Sequence, residues 1–233
     1  MTPEPPQSAV TEGVRSLEVR WIFPGPLETA VAEWFGRFPA EIQSREDTYL
    51  LDPWLRGLSV KVRGGVALDV KEYRGSQGML DLAGRARGHL ESWRKWSFPM
   101  GPLRCDGGDL AGRIPVRKRR RISQFSPASR PVATQPSRGG QEPRCAAELT
   151  EIRALSHDWW TLGFEATGPH DLLRSALQAT AELVFAQAMP ARVAPGPVES
   201  SSYAEWLHQQ RDVKVMPTPD DCRAAVMPER STA

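Results

Sequence analysis

Cysteine is scarce in this 233-residue chain: Cys105, Cys145 and Cys222 are all it has. They are odd in number, widely spaced and fit no Cys-x-x-Cys pattern, which argues against a disulfide framework and a structural zinc site. Lysine is scarce too, because 25 of the 30 basic residues are Arg. An Arg fork matches phosphate and carboxylate, although biased codon usage would give the same count. Net charge is small at +2, so bulk charge calls for no polyanionic partner. No run approaches the ~18 apolar residues of a membrane-spanning helix, and no repeat recurs at a fixed period. The opening MTPEPPQSAVTEG is polar and Pro-rich and lacks the basic and apolar regions of a secretion signal. The expectation is a cytoplasmic protein with no membrane contact.

What is present is a globular composition, 40% hydrophobic and 25% charged. Residues 1–14 read as a disordered tail, 15–210 as one domain, 126–144 as a Pro-, Ser- and Gly-rich flexible loop within it, and 211–233 as a C-terminal tail. The domain alternates with period two over much of its length. Leu17, Val19 and Trp21 share one face of the first segment; Ser16, Glu18 and Arg20 share the other. Strand patterns recur over 45–51, 58–63, 66–73, 91–98, 114–125, 146–155 and 159–167, with Gly64-Gly65 turning the chain between two of them. Helical spacing runs over 27–38 and most clearly over 171–188, and Tyr203 to Gln210 reads as a short closing helix.

In several strands the second face carries charges of both signs. Apolar phases must pack under helices, so in a closed antiparallel barrel with helices outside the polar phase would line the interior. A β-sandwich with its charges in water fits the same periodicity.

The order of the charged motifs resembles the CYTH superfamily, the triphosphate tunnel metalloenzymes, which include class IV adenylate cyclases, thiamine triphosphatases, RNA 5′-triphosphatases and inorganic tripolyphosphatases. Ser16-Leu17-Glu18-Val19-Arg20 is similar to the family's Glu-x-Glu-x-Lys, and Asp47-Thr48-Tyr49 to its Asp-x-Tyr. Lys61-Val62-Arg63, Asp69-Val70-Lys71 and Lys118-Arg119-Arg120 stand at its later basic positions. Glu165 stands on the closing acidic strand, and Ser202-Tyr203-Ala204-Glu205-Trp206-Leu207 resembles the family's Ser-Tyr-x-x-Leu-Leu ending. The resemblance spans about Arg15 to Leu207. It implies an α+β fold, a closed antiparallel eight-stranded barrel with helices packed outside. It also implies a small phosphorylated anion such as a triphosphate, bound by Arg20, Lys61, Arg63, Lys71, Lys118 and Arg120. Mg²⁺ or Mn²⁺ would be held by Glu18 and Glu165. The departures fall on the metal-binding positions: Ser16 replaces a Glu, Arg20 replaces a Lys, and Glu165 stands alone where the family has a pair.

Two functions follow. One is a metal-assisted phosphohydrolase acting on a triphosphate-bearing compound. The other is a catalytically inactive relative that binds a phosphorylated ligand or a protein partner. The residues support the anion part by themselves, since several cations converging in a narrow barrel repel unless an anion or carboxylates neutralise them. Glu18, Asp69, Glu148 and Glu165 could do so, and Glu18–Arg20 could equally be an interior salt bridge. Asp47 and Tyr49 read as a structural hydrogen bond and a packed ring, and Ser202 and Tyr203 as pins for the C-terminal segment. Trp93, Trp96, Trp159 and Trp160 read as packing beneath the helices, and His157-Asp158 as a solvated turn. The run Arg117 to Arg121 has the look of a nucleic-acid patch, but strand spacing lets only one phase face outward, and nucleic acid is the weaker partner reading. Val116 and Ile122 share a phase with Lys118 and Arg120, and the spacing leaves open which phase points inward.

Overall fold

A computed structural model describes residues 13–55, 57–100, 112–126, 142–190 and 194–215. The expected tail over residues 1–14, the loop over 126–144 and the tail over 211–233 lie largely outside these residues. In chain order the elements are β1 (Val14–Pro24), α1 (Thr29–Gly36), β2 (Glu41–Leu50), β3 (Leu58–Arg63), β4 (Ala67–Asp81) and β5 (Arg87–Pro99). There follow β6 (Arg113–Phe125), β7 (Arg144–Ala154), β8 (His157–Thr167), α2 (Leu173–Val184) and α3 (Tyr203–Val215).

Among the described residues the eight strands close into an antiparallel barrel in the order β1-β5-β4-β3-β2-β6-β7-β8. Eight strands leave an interior just wide enough for side chains or one small ligand. Hairpin turns enforce the order: in the three-residue connection between β3 and β4, Gly64 and Gly65 adopt φ of 55° and 74° and Val66 N–H donates to Arg63 O at 3.1 Å, positive values that glycine adopts without strain. β4 and β5 run longer than their alternation suggests. Register shifts between Tyr73/Gly75 and Ser76/Met79 break the period, and beyond them Leu80 and Leu90 turn onto the outer core.

Two apolar clusters organise the molecule. The larger lies outside the barrel. Leu17, Val19 and Trp21 of β1 and Leu162 and Phe164 of β8 pack there beneath α1 and α2, which contribute Val31, Phe35, Leu177 and Val184. Phe23 stacks on Trp160 with ring centroids 4.2 Å apart in the same layer.

The smaller cluster is inside. Ile22, Tyr49, Leu51, Ile114, Val116, Ile152 and Ala154 belong to the inward phases of their strands, and Trp206 and Leu207 of α3 pack against them. α3 therefore plugs one end of the barrel. Two devices hold it there. The segment before it lies along β1, with Ile22 N–H donating to Glu199 O at 2.9 Å and Ser201 N–H to Arg20 O at 3.1 Å, which covers backbone that β5 leaves unpaired. Ser202 then caps the helix, its Oγ accepting from Glu205 N–H at 3.2 Å.

This plug settles the phase of β6. Val116 faces inward at the apolar, plugged end, and Lys118 and Arg120 follow on the same face in the charged part of the tunnel, away from the plug. It also corrects the tryptophans. Trp160 packs outside, whereas Trp159 packs with α3, edge-on to Trp206 at 5.2 Å, and Trp93 lines the tunnel.

Candidate functional site

Among the described residues the barrel interior is a cavity of about 300 Å³, sealed at one end by α3 and open at the other. That volume lies at the lower end for a small-ligand pocket. The structure places all six expected cations, Arg20, Lys61, Arg63, Lys71, Lys118 and Arg120, on its wall, together with Glu18 and Glu165.

At the floor, Lys118 is almost wholly buried between two tyrosine rings. Its Nζ donates to Tyr49 Oη at 2.9 Å and lies 3.7 Å from the ring centroid of Tyr203. Asp47, fully buried, is the hub beneath it, 2.9 Å from Lys61, 3.0 Å from Arg45 and 3.3 Å from Lys118. Burial favours the neutral form of Asp47, but these three cations hold its carboxyl well below the usual range. Burial acts the other way on the amines. It pulls Lys61 down to about 8 despite Asp47, and together with repulsion from Lys61 it pulls Lys118 down as well.

Half-way up, Arg20 crosses from β1 over Gly163 of β8, its partner in register. A Cβ at Gly163 would stand 3.0 Å from the guanidinium carbon, so the glycine lets Arg20 cross without being crowded. Arg20 donates to Thr161 Oγ1 at 3.0 Å, pairs with Glu148 at 3.4 Å and lies 4.5 Å from the Tyr203 ring. Arg120 closes on the other oxygen of Glu148. On the neighbouring wall, the Lys71 ammonium lies 2.6 Å from Glu18 and 3.6 Å from Glu165. Asp69 lies towards the mouth, 3.1 Å from Arg63 and 3.5 Å from Lys95, and accepts from Ser97 Oγ at 2.7 Å.

Charge is unevenly spread around the ring. Strands β3, β2 and β6 contribute Lys61, Arg63, Arg45, Lys118 and Arg120, with Asp47 as the carboxylate set among them. The wall opposite, β5-β1-β8, aligns Glu91, Glu18 and Glu165 as direct cross-strand neighbours. Burial and the charge of Glu18 raise the pKa of Glu91, the penalty for like charges set side by side.

A divalent cation does not fit the acidic wall as it stands. Lys71 already occupies the space between Glu18 and Glu165, Ser16 Oγ donates 2.6 Å to the same Glu18 oxygen, and Gly163 supplies no carboxylate. Among the described residues no group of three or more His, Cys, Asp or Glu side chains is placed to hold a metal ion.

Several residues of the site have no counterpart in the sequence-based reading. Arg45, two residues before Asp47 in the same phase, was recoverable by alternation. Lys95 sits in a Trp-rich stretch that reads as packing. Asp47 and Tyr49 make the cross-strand pairing and packing expected of them and Tyr203 packs at the start of α3, and together they form the floor that Lys118 and Arg20 rest on. Outside the barrel, Arg117 pairs with Glu46 at 3.0 Å, and Arg119 and Arg121 both pair with Glu151. The outward half of the basic run is thus a surface ladder in which three arginines meet two carboxylates. His157 lies exposed at its turn, and Asp158 beside it pairs with Arg153.

The closed antiparallel barrel of eight strands with helices outside is the architecture that the order of motifs implied. No protein-family model matches the chain, and no curated protein sequence matches it. Among solved structures it is similar to the PH1819 protein from Pyrococcus horikoshii OT3, with 13% identity, a TM-score of 0.41, and 84% of this chain and 99% of that chain covered. It is also similar to the Pct1 RNA triphosphatase of S. pombe, with 8% identity, a TM-score of 0.38, and 90% and 86% covered. Among the described residues no helix is long and apolar enough to cross a membrane.

Proposed function

We propose that the tunnel binds a small compound bearing a linear triphosphate, gripping the phosphate chain with the β3-β2-β6 wall. One observation carries this: Lys61, Arg45 and Lys118, on three adjacent strands, share a single buried carboxylate, Asp47, inside the barrel, and Arg63 and Arg120 stand on the same strands with Asp69 and Glu148 of other strands as their partners. Stacking that much like charge away from water is unfavourable unless an anion completes it. A phosphate chain suits the wall because guanidinium groups bind its oxygens in pairs and ammonium groups bind them as point charges. The plug at one end favours entry from the other. The reacting or recognised end goes towards Lys118 and Tyr203, and any organic group stays near Arg63 and Lys95.

The resemblance extends this to hydrolysis of the terminal phosphate; the alternative is a binding protein without catalysis. Phosphate release from tripolyphosphate, thiamine triphosphate and ATP separates the two. Binding itself is tested by thermal unfolding with and without tripolyphosphate. A ligand that binds only the folded state at a hundredfold excess over Kd contributes about 2.7 kcal/mol, which for a chain of this size raises Tm by about 5–11 °C. No shift at millimolar tripolyphosphate, with or without metal, would remove the anion-binding reading and leave only the fold.

A further inference from the structure

We infer that the tunnel holds its anion without a divalent metal, because its own Lys71 and Arg20 supply fixed positive charge where an ion would sit. The inference rests on the anion-binding reading for its ligand, but its structural core concerns the acidic wall alone. Glu18 is the best-placed carboxylate there, and one of its oxygens, Oε1, already takes both the Lys71 ammonium and the Ser16 hydroxyl at 2.6 Å. Glu165 faces the same ammonium at 3.6 Å. Hard divalent cations need about six oxygen ligands at roughly 2.0–2.6 Å, and a lysine ammonium between two carboxylates excludes that shell both by volume and by charge.

The second position is closed as well. Inward-facing residues on β8 alternate, so the place for a carboxylate beside Glu165 is Gly163. The Arg20 guanidinium lies 3.0–3.1 Å from where its Cβ would stand, so any side chain there would have to push Arg20 aside. Arg20 is not free to swing aside, being held by Thr161, Glu148 and the ring of Tyr203. Glu91, the third carboxylate of the row, accepts from Trp93 Nε1 at 3.1 Å instead. Both cations stay charged: for Lys71, the attraction of Glu165 and Glu18 outweighs burial and raises its pKa. An anion threading the tunnel thus meets a permanent ammonium and a permanent guanidinium on the side away from β2.

The test uses Mn²⁺ alone, titrated into the full-length protein and followed by calorimetry and by the loss of the free-ion electron paramagnetic resonance signal. The expected result is no saturable uptake below about 1 mM. Lys71→Gln, which releases Glu18 and Glu165, should bind Mn²⁺ at least about tenfold more tightly than the parent. The tripolyphosphate-induced rise in Tm should persist in EDTA. Micromolar Mn²⁺ uptake by the parent, or a Tm rise that disappears in EDTA, would overturn the inference and leave anion binding standing. A folded Lys71→Gln protein that gains no Mn²⁺ affinity would take the blocking role away from Lys71. The absence of any tripolyphosphate effect would instead strike the anion-binding reading, and the Mn²⁺ titration would still decide the metal question.

Discussion

Replacing Asp47 by Asn removes the one carboxylate that three cations share at the tunnel floor while nearly preserving shape. Breaking a buried ion pair from one side costs about 3–5 kcal/mol, because the partner charge is left uncompensated. Here the partners are Lys61, Arg45 and Lys118, with side-chain exposures of 14%, 21% and 2%. Lys118 can relieve part of the strain by losing its proton, a change that burial already favours. At 2–4 °C per kcal/mol for a chain of this length, the loss is about 6–20 °C in Tm, measured by circular dichroism or scanning fluorimetry at neutral pH. Two further readings sharpen the result. The folded pKa of Asp47 is depressed below its ordinary 3.8, so its contribution is complete above that pH and is lost as pH falls towards the folded value. The gap between parent and Asp47→Asn should therefore narrow below about pH 4. Lys118→Met is the contrasting variant. It removes a crowded ammonium and leaves Asp47 paired to Lys61 and Arg45, so stability should change by no more than about 1.5 kcal/mol. With its cations uncompensated, Asp47→Asn should also gain more Tm from tripolyphosphate than the parent does. An Asp47→Asn protein melting within about 2 °C of the parent would refute the claim that this carboxylate holds the floor together.

Arg63→Ala should weaken tripolyphosphate binding by about 1.5–3 kcal/mol, read by calorimetry. Its effect on the unliganded Tm should be small, because Asp69 keeps Lys95 and Ser97. Anion affinity should fall as pH rises through about 8, where Lys61 loses its charge, and Lys61→Arg should abolish that fall in the same titration. Without ligand, the depressed Lys61 value means that the unfolded chain binds more protons between about 8 and the ordinary 10.5. That residue's contribution therefore makes stability rise with pH across this window, in denaturant melts of the parent relative to Lys61→Arg. Gly163→Ala should displace Arg20 from Thr161 and Glu148 and weaken tripolyphosphate binding about tenfold or more, with the parent's secondary structure retained by circular dichroism.

The strands were legible because most of them alternate and carry mixed charge on the second face, but a sandwich fits that periodicity too, and it was the order of the charged motifs that pointed to a barrel. Alternation says which residues share a face and not which way the face points. For β6 that distinction mattered: Val116 and Ile122 argued for one direction, Lys118 and Arg120 for the other. The answer lay in α3, whose plug makes one end of the interior apolar, so that Val116 and Lys118 point the same way in different surroundings. Tyr203 meets Arg20 across 183 residues of chain, and no local pattern announces such a contact. Tyr73 was visible as the end of a strand, whereas the continuation of β4 was hidden by its bulges. Glu18 and Glu165 were legible as carboxylates inside the barrel. Their partner was not, because a carboxylate that holds a metal and one that holds a lysine look alike in sequence, and only the position of Lys71 tells them apart.

Isothermal titration calorimetry of the full-length protein with tripolyphosphate, in EDTA and at low salt, tests the central claim most directly. The account predicts saturable one-to-one binding, weakened by added salt and by each of Arg63→Ala and Lys61→Met, and weaker for orthophosphate than for the triphosphate chain. Absence of any saturable heat at millimolar tripolyphosphate, or equal binding by a protein lacking both Lys61 and Arg63, would contradict it.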